Sequence, residues 1–217
     1  MADHDSRAGS QYITPEILAF VNNLHSPHDE GLARAFTSPD QHGMPAIQVG
    51  PGEGKLLGLL LRLTGARKVV EIGTLAGYSA ICMARHLPED GHIWTVEADP
   101  KHAEVAQANI RAAGLWTKVT VVEGPALGVL GILEKHGPFD AVFIDADKEN
   151  YDHYGRWAAK HLRSGGLLLA DNAFYFKELL DDTPGAAAVR RLHQETAAAF
   201  DSVCIPTPDG LLLGIKR

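Results

Sequence analysis

Acidic and amide side chains follow two short apolar segments in the second half of the chain. Asp145 comes directly after residues 139–144, and Asp171 and Asn172 come directly after residues 166–170. We interpret both segments as buried parallel strands, whose carboxyl ends meet at one edge of a sheet. Oxygen ligands with open coordination positions suit a hard cation, magnesium (Mg²⁺) first, with Mn²⁺ or Ca²⁺ as substitutes. The alternative is that these residues only cap helices and turns.

A lysine lies three residues beyond Asp145. Lys148 is expected at the start of the next helix, facing the same site. The positive charges of a metal and of a cationic cofactor, together with partial desolvation, favour the neutral amine, which can accept a proton from a hydroxyl. The alternative is a solvated surface lysine.

The sequence EIGTLAGYS places two glycines, Gly73 and Gly77, between a predicted strand and its helix. This G-x-x-x-G spacing differs from the phosphate-binding glycine motifs, and Glu71 at the strand end would repel phosphate. S-adenosylmethionine fits better, because it carries a sulfonium and an ammonium group and no phosphate. Glu97, at the end of the next strand, is expected to accept both ribose hydroxyls. Alternatively, the glycines make only a turn and Glu97 caps a helix.

Together these residues predict methyl transfer to a small molecule with two neighbouring hydroxyls. The metal would bind both oxygens, and Lys148 would remove the proton of the oxygen that attacks the methyl carbon. Phe174, Tyr175 and Phe176 follow the metal residues in a long irregular stretch, and we assign them to an aromatic substrate wall. Trp116 is a candidate for the adenine side of the pocket.

The elements that would position these residues alternate along the chain. We predict helices at 14–24, 52–63, 78–86, 100–113, 126–136, 149–162 and 186–199, and strands at 68–72, 92–97, 118–123, 139–144, 166–170, 201–205 and 211–216. Such alternation indicates an α/β fold, a parallel sheet with helices on both faces, closed by an antiparallel hairpin. Residues 1–13 are predicted to be a disordered or partner-docked tail.

Composition narrows the class of protein further. The 217 residues are 45% hydrophobic and carry a net charge of −7, which predicts an ordinary globular chain and disfavours nucleic-acid binding. Cys82 and Cys204 lack metal-ligand or redox spacing and are predicted to be reduced core residues. No apolar run reaches signal-peptide or membrane-spanning length, so a cytoplasmic protein is expected. His102, His153, His161 and His193 are expected to be exposed to solvent.

Five segments in order resemble the cation-dependent O-methyltransferases, the family of the caffeoyl-CoA and catechol enzymes, and among them the bacterial small-molecule members. They are EIGTLAGYS, VEADP, FDAVFIDADKENY, RSGGLLLADN and DGLLLGIKR. The resemblance implies a Rossmann-like class I methyltransferase fold with a seven-stranded, mostly parallel sheet. It implies one methyltransferase domain at 41–217, preceded at 1–40 by a tail and helices that cover the site or form a dimer interface.

The resemblance also carries residues over to this chain. It implies Asp145 and Lys148 as catalytic residues, a metal on Asp145, Asp171 and Asn172, and S-adenosylmethionine near Val49, Gly50, Glu71, Gly73, Ser79, Glu97, Ala126 and Asp145. Asp209 matches a carboxylate that holds the substrate in the mammalian catechol enzyme, and plant and bacterial members resemble homodimers. The altered segment after Asn172 predicts a remodelled pocket for a phenolic acceptor. Methylation of a hydroxylated tRNA base and a non-catalytic cofactor-binding protein stay open as alternatives.

Overall fold

The computed structural model describes residues 12–217. The predicted tail therefore lies almost wholly outside the described residues. Three helices precede the sheet: α1 is Pro15–His25, α2 is Glu30–Gln41 and α3 is Pro51–Leu63. α1 begins where expected, because the Thr14 side chain accepts a hydrogen bond from the Ile17 N–H (3.3 Å) and Pro15 occupies the first turn.

A seven-stranded sheet forms the centre of the molecule, and it confirms the predicted fold class. Its strands are β1 (Lys68–Ile72), β2 (His92–Glu97), β3 (Val119–Glu123), β4 (Phe139–Ile144), β5 (Leu162–Ala170), β6 (Phe200–Ile205) and β7 (Leu211–Lys216). The order is β3-β2-β1-β4-β5-β7-β6. The first five strands run parallel, and β7 pairs antiparallel with both β5 and β6.

Helices cover both faces of the sheet. After β1 come α4 (Tyr78–Ala84), α5 (Pro100–Ala112), α6 (Ala126–Leu133), α7 (Tyr151–His161) and α8 (Pro184–Ala199). Alternate strand residues enter two apolar cores: Val69 packs with α3 and α4 on one face, and Val70 packs with α6 and α7 on the other. β1 and β4 are apolar on both faces for this reason.

Two predictions of local structure were wrong. α2 was not predicted, because Thr37, Ser38 and Pro39 are poor helix formers. Packing outweighs this propensity, since Ser38 is buried and its Oγ accepts a hydrogen bond from Asn109 Nδ2 on α5 (2.9 Å). The helix predicted to end at Leu162 ends at His161. β5 starts at Leu162 and not at Gly166 as predicted, because Leu162 already pairs with Phe139 of β4.

The N-terminal helices differ in how they join the fold. α2 contributes Ala35 to a core and contacts α4 and α5, whereas α1 has no buried residue. None of the helices within residues 12–217 has the length and apolar character needed to cross a membrane. The predicted boundary near residue 41 stays a prediction.

Candidate active site

A cavity of about 630 Å³ lies at the carboxyl ends of β1, β2 and β4. Most of the residues predicted to bind the cofactor line it: Val49, Gly73, Ser79, Glu97, Ala126 and Asp145. Gly50 is not among the lining residues, because it is the N-cap of α3. Glu71 lies behind the wall, where it is fully buried. One cavity therefore collects residues that are up to 163 positions apart in the chain (46 to 209).

The glycine turn lets two strand ends approach closely. Gly73 has φ +97°, and a Cβ at this position would lie 1.9 Å from the main-chain oxygen of Asp145. Gly77 has φ +81° and caps α4 in the left-handed region. Any larger residue at position 73 would force β1 away from β4, so glycine is required by this approach.

Glu97 joins the glycine turn to the end of β2. Its Oε2 accepts hydrogen bonds from the N–H groups of Thr74 (3.1 Å) and Leu75 (2.8 Å), and its Oε1 accepts one from Asp99 N–H (3.0 Å). A carboxylate has about four acceptor positions, so one remains for a hydroxyl. His102 Nδ1 lies 3.8 Å from Oε1, which makes this histidine a cavity residue and not the exposed one that was predicted.

Glu71 is a buried acid with an unfilled hydrogen-bonding position. Its Oε1 accepts a hydrogen bond from Ser79 Oγ (2.5 Å), while Oε2 is buried and has no partner among the described residues. Burial raises the pKa of Glu71 to about 8, although the hydrogen bond from Ser79 lowers it. A cationic ligand in the cavity would stabilise the ionised form of Glu71 through its charge. The sulfonium and ammonium groups of S-adenosylmethionine fit this requirement.

Replacing Glu71 by glutamine is expected to weaken binding of S-adenosylmethionine. The amide keeps the shape but loses the charge, and a nearby opposite charge shifts a pKa by about 1–3 units, equivalent to roughly 10–1000-fold in affinity. Calorimetric titration would measure the change. Glu104→Gln, an exposed position on α5, is the matched control, and equal affinity of the two variants would contradict the assignment.

The raised pKa also predicts how stability depends on pH. Between the ordinary value of 4.5 and about 8 the folded state binds more protons than the unfolded state, so the stability of the ligand-free protein falls as pH rises through this window. Glu71→Gln is expected to flatten this fall, measured as Tm from pH 5 to 8.5. If the Tm of Glu71→Gln fell with pH as steeply as that of the unchanged protein, ionisation of buried Glu71 would not be the cause of the fall.

Lys148 faces the cavity beside the predicted metal residues. Its Nζ donates to Asp145 Oδ1 (3.1 Å) and to Tyr151 Oη (2.5 Å), and Tyr151 Oη donates to the main-chain oxygen of Asp171 (3.1 Å). Burial, followed by the charges of Asp145 and Asp171, raises the pKa of Tyr151 well above its usual value. Tyr151 thus stays a neutral hydroxyl that holds the lysine in place. The sequence analysis did not single it out.

The predicted metal residues lie together at the ends of β4 and β5. Asp145 N–H donates to Ile72 O and Asp171 N–H donates to Ile144 O, so both strand ends continue the sheet hydrogen bonding. Asn172 has φ +52°, a left-handed conformation that asparagine tolerates. Its amide nitrogen donates to Asp171 Oδ2 (3.3 Å), which leaves its amide oxygen available.

The donor set fits a hard cation with an incomplete shell. Burial, followed by the charge of Asp145, raises the pKa of Asp171, and a bound cation would favour its ionised form. Within residues 12–217, no three His, Cys, Asp or Glu side chains are grouped so as to hold a metal. The predicted set contains only two carboxylates, and its third member is an amide, so it would leave coordination positions for water or substrate.

The loop after Asn172 places its aromatic residues differently from the prediction. The Phe174 ring packs over Gly210, where a Cβ would lie 2.7 Å from the ring, and the Tyr175 hydroxyl packs against Gly185. Neither is among the cavity-lining residues, whereas Phe176, which is 57% exposed, and Asp209 are. The sequence alone could not show which of these adjacent aromatic residues lines the cavity, because the left-handed φ at positions 175 to 177 decides which ring faces it.

Other predictions away from the catalytic cluster also needed correction. Trp116 is 66% exposed and is not among the cavity-lining residues, so its assignment to the adenine side was wrong. His193 is half-buried and bonds Ala173 O (2.8 Å), and His161 is half-buried beside Glu134; only His153 is exposed as predicted. Cys82 is buried and Cys204 half-buried, and both are free thiols.

The fold and this cavity define the class of protein. The chain has a sheet of order β3-β2-β1-β4-β5 with an antiparallel β7-β6 edge. Its cavity is lined by Glu97, with Glu71 buried behind the wall, and has no phosphate-binding glycine motif. These features define a Rossmann-like class I methyltransferase.

Comparison with known proteins identifies the family. Residues 26–217 match the model described as O-methyltransferase, and the chain belongs to this family. It is 43% identical over 212 residues to the catechol O-methyltransferase of Mycobacterium tuberculosis (94% of this chain, 96% of the relative) and 41% identical over 200 residues to that of Niastella koreensis (91% and 90%). The O-methyltransferase from Bacillus cereus in complex with SAH superposes with a TM-score of 0.89 at 35% identity, covering 93% and 97% of the chains.

These findings establish the general activity. The chain is an S-adenosylmethionine-dependent O-methyltransferase that acts on a small molecule. They favour an enzyme over the non-catalytic alternative that the sequence analysis left open.

Proposed function

We propose that this enzyme uses a divalent cation, Mg²⁺ in the first place, to methylate one hydroxyl of a catechol-like small molecule. The observation that carries the proposal is the position of Lys148. Its Nζ lies 3.1 Å from Asp145 Oδ1, and Lys148 lines the same cavity as Asn172 and Glu97. The names of the two bacterial relatives support the acceptor class.

Different residues bind the cofactor, remove the proton and would hold the cation. Glu71 stabilises the positive charge of the cofactor, and Glu97 accepts a hydrogen bond from one of its ribose hydroxyls. Lys148 Nζ accepts the proton of the acceptor hydroxyl, while Asp145 and Tyr151 hold Nζ in place. The acceptor oxygen forms a bond to the methyl carbon as the carbon–sulfur bond breaks, and sulfur keeps the electron pair. A cation bound at Asp145, Asp171 and Asn172 would supply Lewis acidity toward two neighbouring acceptor oxygens.

The decisive experiment is methyl transfer from S-adenosylmethionine to caffeic acid. Product should form with added Mg²⁺, disappear with a chelator and return when Mg²⁺ is restored in excess. Product that is indifferent to the chelator would contradict the metal. Transfer to tRNA that carries a hydroxylated base, but not to caffeic acid, would favour the nucleic-acid alternative, which the net charge of −7 disfavours.

We also propose that the enzyme is a homodimer in which α1 packs against a second copy. α1 has no buried residue, and the apolar side chains that it exposes are Ile17, Leu18, Phe20, Val21 and Leu24. So much contiguous apolar surface on one helix is unusual for a monomer and typical of an interface. A second copy is the simplest partner, because self-association needs no other chain.

Phe20→Glu is expected to convert the dimer to a monomer of 23.4 kDa. Phe20 is 66% exposed, and burial of a Phe side chain contributes about 1.5–3 kcal/mol, counted twice in a symmetric dimer, so dimerisation should weaken at least ~100-fold. Light scattering after size-exclusion chromatography would measure the mass. Asn23→Glu adds the same charge on an exposed polar position of α1 and should stay dimeric; a monomeric unchanged protein would refute the proposal.

A further inference from the structure

Glu53 is an acidic residue near the cavity to which the sequence analysis gave no role. It is in the first turn of α3, two residues after Pro51. In that position a glutamate ordinarily stabilises the helix N-terminus, either through the helix dipole or by accepting a hydrogen bond from the N-cap N–H. Such a role requires only an exposed side chain.

The structure places the Glu53 carboxyl group elsewhere. It lies within hydrogen-bonding distance of the Asp171 carboxyl group, and the further charges that act on it are those of Asp145 and Asp209, all of the same sign. Glu53 Oε1 is buried and has no partner among the described residues. A buried acceptor that is surrounded by other carboxylates costs free energy, and helix capping gives no reason to place it there.

The contact with Asp171 indicates how Glu53 acts. Glu53, Asp145 and Asp171 do not form a group of three that could hold a metal by themselves, as no such group exists within residues 12–217. Glu53 is therefore better placed to support Asp171 than to serve as a direct ligand. Residues that hydrogen-bond a ligand orient it and tune its affinity for the metal.

We propose that Glu53 is a positioning residue of the cation site, which orients Asp171 and adds the negative charge that a divalent cation offsets. This inference rests on the proposed metal dependence. It explains why a carboxyl group with no positive partner within residues 12–217 lies beside Asp171: without the cation the arrangement is unfavourable, and with the cation the charge is neutralised.

The test is Mn²⁺ binding by the metal-free protein, measured from the electron paramagnetic resonance signal of free Mn²⁺ without cofactor or acceptor. Loss of a group that supports a metal ligand costs about 10–100-fold in affinity, so Glu53→Gln should weaken Mn²⁺ binding by that factor. Glu53→Asp keeps the charge on a shorter side chain, and its Mn²⁺ affinity should lie between those of Glu53→Gln and the unchanged protein. At saturating Mg²⁺, the Glu53→Gln enzyme should recover most of its kcat, because the change acts on metal affinity.

Glu89→Gln is the matched control, because it removes the same charge from an exposed loop before β2, and its Mn²⁺ affinity should stay within about twofold of the unchanged protein. Equal Mn²⁺ affinity of Glu53→Gln and Glu89→Gln would overturn the role of Glu53 while leaving the metal site intact. No Mn²⁺ binding by the unchanged protein would overturn both this inference and the metal dependence. Thermal unfolding of each variant checks that the fold is preserved.

Discussion

Replacing Lys148 by methionine is expected to lower kcat by about two to four orders of magnitude, the usual contribution of a positioned general base. Methionine keeps much of the length and apolar stem of the side chain but cannot accept a proton. S-adenosylmethionine affinity should change little, because the cofactor glutamates Glu71 and Glu97 lie on β1 and β2 and do not contact Lys148 Nζ. Single-turnover methyl transfer and calorimetric binding would measure the two effects separately.

Lys160→Met is the control for this change. Lys160 is exposed near the end of α7 and is replaced by the same residue, so kcat should be unaffected. If Lys148→Met kept more than about a tenth of the rate, proton removal by Lys148 would be excluded as the main contribution to the rate. A parallel loss of cofactor binding would instead indicate that Lys148 supports the pocket structurally.

Replacing Asp171 by asparagine is expected to abolish divalent-metal binding and activity together. The substitution preserves shape but removes one of only two carboxylates in the proposed donor set. The affinity loss should exceed the roughly 10–100-fold seen when a residue that merely supports a ligand is lost. Titration with Mn²⁺ and the rate of caffeic acid methylation should decline in parallel.

Asp171→Asn is expected to lose metal binding but not thermal stability. Burial raises the pKa of Asp171 to about 6, above the ordinary value of 3.8, so the metal-free protein loses stability as pH rises between these values and stays less stable above them. Asp171→Asn should therefore unfold at an equal or higher temperature than the unchanged protein at pH 8 in the presence of a chelator. Asp201→Asn, on the exposed side of β6, should alter neither metal binding nor activity. A lower Tm for Asp171→Asn would mean that misfolding contributes to its loss of activity.

The order of the elements and the main site residues were predictable from the sequence. Asp145, Asp171, Glu71 and Glu97 each follow or end an apolar strand, and in a parallel sheet all such positions converge on one edge. Gly73 was predictable as part of a tight turn, because its neighbours read as strand and helix. These inferences depend only on periodicity and on the topology of parallel sheets, which a single sequence carries.

The tertiary structure alone decided which residues face the cavity. Glu53 and His102 belong to helices whose sequence pattern suggests ordinary caps and exposed faces, and only the tertiary arrangement brings them to Asp171 and Glu97. Tyr151 is an unremarkable aromatic residue in the sequence, and its bond to Lys148 depends on the 3₁₀ turn at Lys148–Asn150. The sequence determines local conformation and the edge of the sheet at which chemistry occurs. Contacts between elements depend on how helices pack against that sheet, and no local pattern encodes this packing.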